Sequence, residues 1–193
     1  MQYDRTGLLY SVPGLINSTS YNGRDQALSV AYANGVTSAY GYNDARGWVS
    51  TITHSNGAGT LMGLTYAWHI NGHLQSVTSS TDATGSWVYG YDNLYRVSAA
   101  TNQGNAALTQ GFAYDNAGSL TAITGNGAVS LTYPAATSPH PHAPLTAGAR
   151  AFTYDANGNT LTDGLRTFTY DGENRPSNVV FGANTVAYVY GRL

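Results

Sequence analysis

Phe152-Thr-Tyr-Asp-Ala-Asn-Gly-Asn159 and Arg166-Thr-Phe-Thr-Tyr-Asp-Gly-Glu-Asn-Arg175 lie close together near the end of the chain and share one design. A short run alternates side chains at period two, which places every second residue on one sheet face and reads as a strand. A Tyr-Asp pair follows. The Asp side chain can accept from backbone two residues on, and a glycine can take positive φ, so together they reverse the chain. The spacing predicts strand, Asp-turn and returning strand, in other words a β-hairpin built on the anchors Tyr154, Asp155 and Gly158 and on Tyr170 and Asp171.

The same pattern recurs upstream. Tyr3, Asp4 and Gly7 form one copy, and Tyr114, Asp115 and Gly118 form another. Tyr91 and Asp92 keep the first pair but place Tyr95 where glycine is expected, as Asn174 does after Tyr170. Looser copies begin at Tyr21, at Tyr42 with one extra residue before Gly47, and at Trp68. The widest spacing, from Tyr114 to Tyr154, contains residues 134–148, which hold four of the six prolines. Proline removes ladder donors, so this stretch reads as an inserted loop in one array covering residues 1–193. Asn34-Gly35 and Asn126-Gly127, each set between β-type runs, are further hairpin signals. No window carries sustained helical periodicity with caps, so the expected fold is all-β: tandem antiparallel hairpins in one curved sheet.

Composition agrees with turns and aromatic strands. Charged residues make up only 9% of the chain, while Gly (23) and Tyr (16) are abundant beside Phe (4) and Trp (3). The eight cations are all arginine, scattered from Arg5 to Arg192, so the clustered charge that a nucleic acid requires is missing. With no cysteine, neither disulfides nor thiolate metal sites are available. No apolar run is long enough to span a bilayer, and the opening residues lack a signal-peptide profile, so export would depend on a parent polypeptide.

Tandem Tyr-Asp-x-x-Gly copies, with Tyr32-Ala-Asn-Gly-Val36 leading to Tyr40-Gly-Tyr42, make the chain resemble the Rhs/YD-repeat family. That family includes bacterial Rhs toxins, the C component of insecticidal toxin complexes, and teneurins. The resemblance implies hairpins laid side by side in a sheet that spirals into a hollow shell, which in toxin members encloses a variable C-terminal effector. It implies a secreted or bacterial cell-surface location. The expected partners are flanking YD repeats and an encapsulated effector domain. No Asp-Pro dipeptide marks a self-cleavage core, and both ends fall within repeats, so the expectation is a fragment whose edge strands, near residues 3–10 and 185–190, seek partners.

Chemistry has little to work with. Asp4, Asp92, Asp115, Asp155 and Asp171 share one turn position, and Asp25, Asp44, Asp82, Asp163 and Glu173 also lie in turn contexts, which argues against a glycosidase carboxylate pair. His69 and His73 flank a turn-like Ile70-Asn71-Gly72, and His140 and His142 alternate with prolines, so neither pair completes a metal site. The chain lacks lysine and a Gly-x-Ser-x-Gly elbow. The expectation is therefore no catalytic residue, metal or cofactor. A second reading is an adhesion or carbohydrate-binding module in which Trp68 and Trp87 stack on sugars; the competing reading of those rings is a cross-strand ladder.

Overall fold

A computed structural model describes residues 1–191. The described residues form antiparallel strands throughout; the helical elements among them are two single 3₁₀ turns, Ala83–Gly85 and Ala106–Leu108. The chain divides into two compact units, Met1–Thr109 and the residues from Gln110 onward.

In the first unit a short hairpin, Gln2–Tyr3 with Leu9–Ser11, precedes a sheet whose strands follow in sequence order. These are Ile16–Tyr21, Ala27–Tyr32, Thr37–Tyr42, Val49–Asn56, Gly59–Trp68, Leu74–Ser79, Trp87–Tyr91 and Val97–Asn102, each antiparallel to the next. Register sorts the side chains cleanly. Tyr40, Ile52 and Leu64 stand opposite one another across three strands, and Tyr66, Val77 and Trp87 do the same farther along. The other face carries Ser29, Ala39, Thr53 and Gly63 in one row and Thr51, Thr65 and Thr78 in another. One face is thus aromatic and aliphatic and the other small and hydroxylated, as period-two alternation dictates.

In the second unit Gln110–Tyr114, Leu120–Gly125, Val129–Thr132, Thr146–Ala147 and Arg150–Ala151 pair in succession. A separate sheet holds Thr153–Tyr154, Thr160–Thr162, Arg166–Tyr170, Pro176–Phe181 and Asn184–Ala187. The alternation persists, with Phe112, Ile123 and Val129 in one row and Phe168, Val179 and Val186 in another. Within the proline-rich stretch, Thr146–Ala147 is a strand, and Leu145 N–H already donates to Thr132 C=O at 2.7 Å.

Within each unit, no second layer covers the apolar face among the described residues. Ala100 is the one buried hydrophobic residue described, whereas Ser38 is fully buried and Asn102 and Asp163 nearly so. Burial stabilises this fold less than it would a two-layer domain. More of the stabilisation falls on ladder hydrogen bonds and on the contacts that join one hairpin to the next.

Candidate functional site

The repeating turn is the most regularly built feature. At Asp4, Asp92, Asp115, Asp155 and Asp171 the backbone N–H donates to the carbonyl four residues on, and the Asp carbonyl accepts from the N–H three residues on. Oδ1 completes the turn. In Asp155 it accepts from the N–H groups of Asn157 and Asn159, both at 2.9 Å, and in Asp171 from those of Glu173 and Arg175. Asn22 closes the same ring at the first looser copy. His69 keeps the backbone ring without a side-chain oxygen, and Asn71 Oδ1 accepts from His73 N–H instead.

The third residue after the Asp sits in the left-handed region. Gly7, Gly72, Gly118 and Gly158 occupy it, but so do Asp25 (φ 59), Tyr95 (φ 61) and Asn174 (φ 59). The ring imposes the conformation whether or not glycine is present, and the non-glycine residues carry its steric cost.

The anchor aromatic ties each hairpin to the one before. Tyr21 hydroxyl donates to Leu9 C=O, Tyr42 to Ala27, Tyr91 to Leu74, Tyr170 to Thr160 and Tyr190 to Pro176, at 2.8 to 3.0 Å. Trp68 Nε1 plays this part toward Val49 C=O at 2.7 Å. Tyr133 also belongs to the series, donating to Leu120 C=O at 2.8 Å. Reading the residues alone passes over Tyr133 because Pro134 follows it and no Asp-turn comes after. It nevertheless divides the long interval between Tyr114 and Tyr154 into two spacings close to those of the other copies. Tyr154 then donates to Pro144 C=O at 2.9 Å. Burial pushes the phenols of Tyr91, Tyr133 and Tyr154 up, which keeps each a protonated donor.

Adjacent turns also touch. The residue after the left-handed position in one turn reaches the left-handed residue of the next: Gln26 Nε2 donates to Gly47 C=O at 2.8 Å, and His73 stacks on Tyr95 with ring centroids 5.0 Å apart. Asn159 Nδ2 donates to Asn174 Oδ1 at 2.9 Å. Trp48 lies over Gly72, where an added Cβ would stand 3.2 Å from the indole. The proline-rich loop substitutes for a turn on both sides, since His142 Nδ1 meets Ser119 Oγ at 3.3 Å and the His140 ring covers Gly158.

The carboxylates at the repeated position serve these turns. Donation from Arg96, backbone first, holds Asp92 below the usual range, and the Asn159 side-chain amide does so for Asp155. Asp163, between Thr160–Thr162 and Arg166–Tyr170, is held to about 2, chiefly by the Arg166 side chain, whose Nη2 lies 2.6 Å from Oδ2. Among the described residues no three His, Cys, Asp or Glu side chains converge as metal ligands.

The two tryptophans read as stacking candidates differ in setting. Trp68 meets Trp48 at 5.7 Å and Tyr66 at 6.4 Å, and these rings with Val49 and Ile52 line a shallow apolar cavity of about 310 Å³. Trp87 stands opposite Val77 and Asn102 and joins no such cluster among the described residues. Trp48, with Arg46 over its ring at 5.0 Å, is the surface aromatic that the residue pattern alone did not single out. His69 and His73 lie with Tyr89, Tyr91 and Tyr95 around a cavity of about 340 Å³.

Residues 21–58 match the family model of the RHS repeat. No curated protein is significantly similar in sequence. Among solved structures, a TcdB2-TccC3 crystal structure superposes with a TM-score of 0.63 at 19% identity, over 97% of this chain and 13% of that one. A TcdB2-TccC3 structure without its hypervariable C-terminal region gives 0.62 at 18% identity, with the same coverages. A Photorhabdus luminescens Tc holotoxin pore carrying a TccC3 point mutation also gives 0.62 at 18%, again over 97% and 13%. The chain therefore spans about an eighth of the length of each of these structures. Its likeness to Rhs/YD-repeat proteins rests on an RHS repeat in its sequence, at residues 21–58, and on a tandem-hairpin fold shared along almost its whole length.

Proposed function

We propose that the chain is a non-enzymatic structural segment of an Rhs/YD-repeat shell that encloses or presents a toxin or effector module, and that its two units are parts of one repeat array. The observation that carries this is the division of labour in each hairpin. The anchor aromatic and the turn-to-turn contacts join neighbours, while the apolar face is left without a covering layer. A sheet built this way extends by adding hairpins, and its uncovered face serves as a lining. The carboxylates at the repeated turn position, as at Asp155 and Asp171, are occupied in closing turns.

Expressing the chain together with the sequence encoded on either side of it tests the reading. The thermal midpoint should rise, self-association should fall, and a downstream domain should gain protection from protease. An isolated chain that is strictly monomeric and as stable as the extended form would overturn it.

A second reading rests on the Trp48, Tyr66 and Trp68 cluster, whose exposed apolar cavity would suit a sugar ring. Because Trp68 also clamps Val49, Trp48→Ala is the cleaner probe. Glycan-array binding lost in that variant, with the fold retained, would favour adhesion over an inert wall.

A further inference from the structure

Six Asn-Gly pairs punctuate the chain, at 22–23, 34–35, 56–57, 71–72, 126–127 and 157–158. Such pairs are hairpin formers, but they are also chemically labile, because the peptide nitrogen of the glycine can attack the side-chain amide carbon of the asparagine. Attack requires a side chain free to rotate and a peptide nitrogen not tied up in a hydrogen bond. The fold withholds one or both at five of the six pairs.

Gly35, Gly72 and Gly158 each donate their N–H, to the carbonyls of Tyr32, His69 and Asp155, at 2.9 to 3.1 Å. Their asparagines are engaged as well: Asn34 Oδ1 accepts from Val36, Asn71 Oδ1 from His73, and Asn157 Nδ2 donates to Asn174. Asn22 is held at both ends of its amide, with Oδ1 accepting from Arg24 and Gln26 and Nδ2 donating to Gln26 Oε1. Asn56 Oδ1 accepts from Ala58 N–H at 2.9 Å.

Asn126 differs on every count. Its side chain is exposed and, like the Gly127 N–H, has no hydrogen-bond partner among the described residues. Gly125 (φ 79) and Gly127 (φ 72) flank it in the turn between Leu120–Gly125 and Val129–Thr132, which is closed by Ala128 N–H donating to Gly125 C=O and by Gln110 Nε2 donating to the Asn126 main-chain carbonyl, bonds that leave the Asn126 side-chain amide and the Gly127 N–H untouched. We infer that Asn126 is a self-modification site of the folded chain, losing its amide through a cyclic imide.

In the step, the Gly127 nitrogen gives up its proton to solvent and bonds to Asn126 Cγ. The Cγ–Nδ2 bond breaks, and the leaving nitrogen takes one proton from water and departs as ammonia. Water then opens the imide at Cγ to give aspartate, or at the main-chain carbonyl to give isoaspartate. No electrons are exchanged with another reactant. Isoaspartate inserts a methylene into the turn that sets the pairing of Ile123 with Val129. That hairpin also carries the Tyr133 clamp on Leu120, so the modification loosens one of the chain's hairpin-to-hairpin ties.

The test is to incubate the folded protein at mildly alkaline pH, digest it and map masses. The peptide containing Asn126 should gain the mass of an amide-to-acid exchange before any other Asn-Gly peptide does. A protease that cuts before aspartate but not before isoaspartate should cut only part of the product. In denaturant the six pairs should react at similar rates, and Asn126→Gln should abolish the early product. Reaction at residues 34, 71 or 157 as fast as at 126 in the folded chain would overturn the assignment, as would no gain at 126 while the unfolded chain reacts.

Discussion

The turns Asp92–Arg96 and Asp155–Asn159 share one backbone and meet a neighbouring histidine in opposite ways. In the first, Tyr95 takes φ 61 and its own ring goes out to stack on His73, 5.0 Å away with planes 16° apart. In the second, Gly158 takes φ 87 and the histidine comes in, so that an added Cβ would stand 3.2 Å from His140 Cε1 and Nδ1. Glycine therefore does two jobs at 158, permitting the φ and leaving room, whereas at 95 the turn bears a steric cost and recovers a ring contact. The turn-to-turn contact is the shared requirement, and either partner can supply the atoms.

The largest break in this comparison should come from Gly158→Val. A β-branched residue in the left-handed region costs about 1–3 kcal/mol, and here the side chain also meets His140. The urea midpoint should drop clearly. Adding His140→Gly removes the ring and suits the positive φ of 55 at that position, so it should return the steric part of the loss and leave the backbone part. Measured against His140→Gly alone, an undiminished midpoint in the double variant would mean that φ at 158 contributes nothing, and a loss as large as that of Gly158→Val in the wild type would mean that His140 does not restrict the site.

The hydroxyl clamps come next. Tyr91 donates to Leu74 beside a regular turn, and Tyr154 to Pro144 beside the proline-rich loop. Replacing either with Phe leaves a carbonyl without its donor, at about 0.5–1.5 kcal/mol. Equal losses in chemical denaturation would show that the clamp works independently of the turn it accompanies. A silent Tyr154→Phe beside a damaging Tyr91→Phe would show that the loop end is not held.

Acid should loosen both turns together. Asp92 and Asp155 titrate below their ordinary value in the folded chain, so their contribution is fully present above the unfolded value near 3.8 and is lost as pH falls through the lower folded values. Asp163, held to about 2, extends that window downward. Amide exchange at Arg96 and Asn159 should stay slow at pH 5 and quicken below about 4, with the Arg166 turn last to open. Quickening that begins at pH 6 would show that these carboxylates do not hold the turns.

The strand, Asp-turn, strand unit was legible because its signals are local: period-two alternation, an acceptor and a glycine. What stayed hidden was relational. Tyr133 has no Asp after it, so nothing nearby marks it as an anchor; its role appears only when its hydroxyl is seen on Leu120. Trp48 occupies an ordinary position after a turn, and its importance comes from Trp68, brought beside it by pairing. Asp25, Tyr95 and Asn174 contradict the glycine preference because a closed hydrogen-bond ring outweighs a penalty of about 1–2 kcal/mol. The outcome at each depended on a partner in a neighbouring hairpin or on the ring as a whole.

Tyr95→Gly should have the smallest effect and separates the two halves of the comparison most sharply. It relieves the left-handed cost of about 1–2 kcal/mol and forfeits a ring contact of about 0.5–1.5 kcal/mol, while glycine's extra freedom in the unfolded chain takes back part of the gain. The net change in stability should lie within about 1 kcal/mol of zero. Tyr95→Ala keeps most of the backbone cost and loses the stack, so it should be clearly worse than glycine, and the gap between the two variants measures the strain stored at φ 61. If glycine and alanine are equally damaging, the ring on His73 rather than the backbone decides this turn, and the turns of the chain are held together mainly by what their side chains reach.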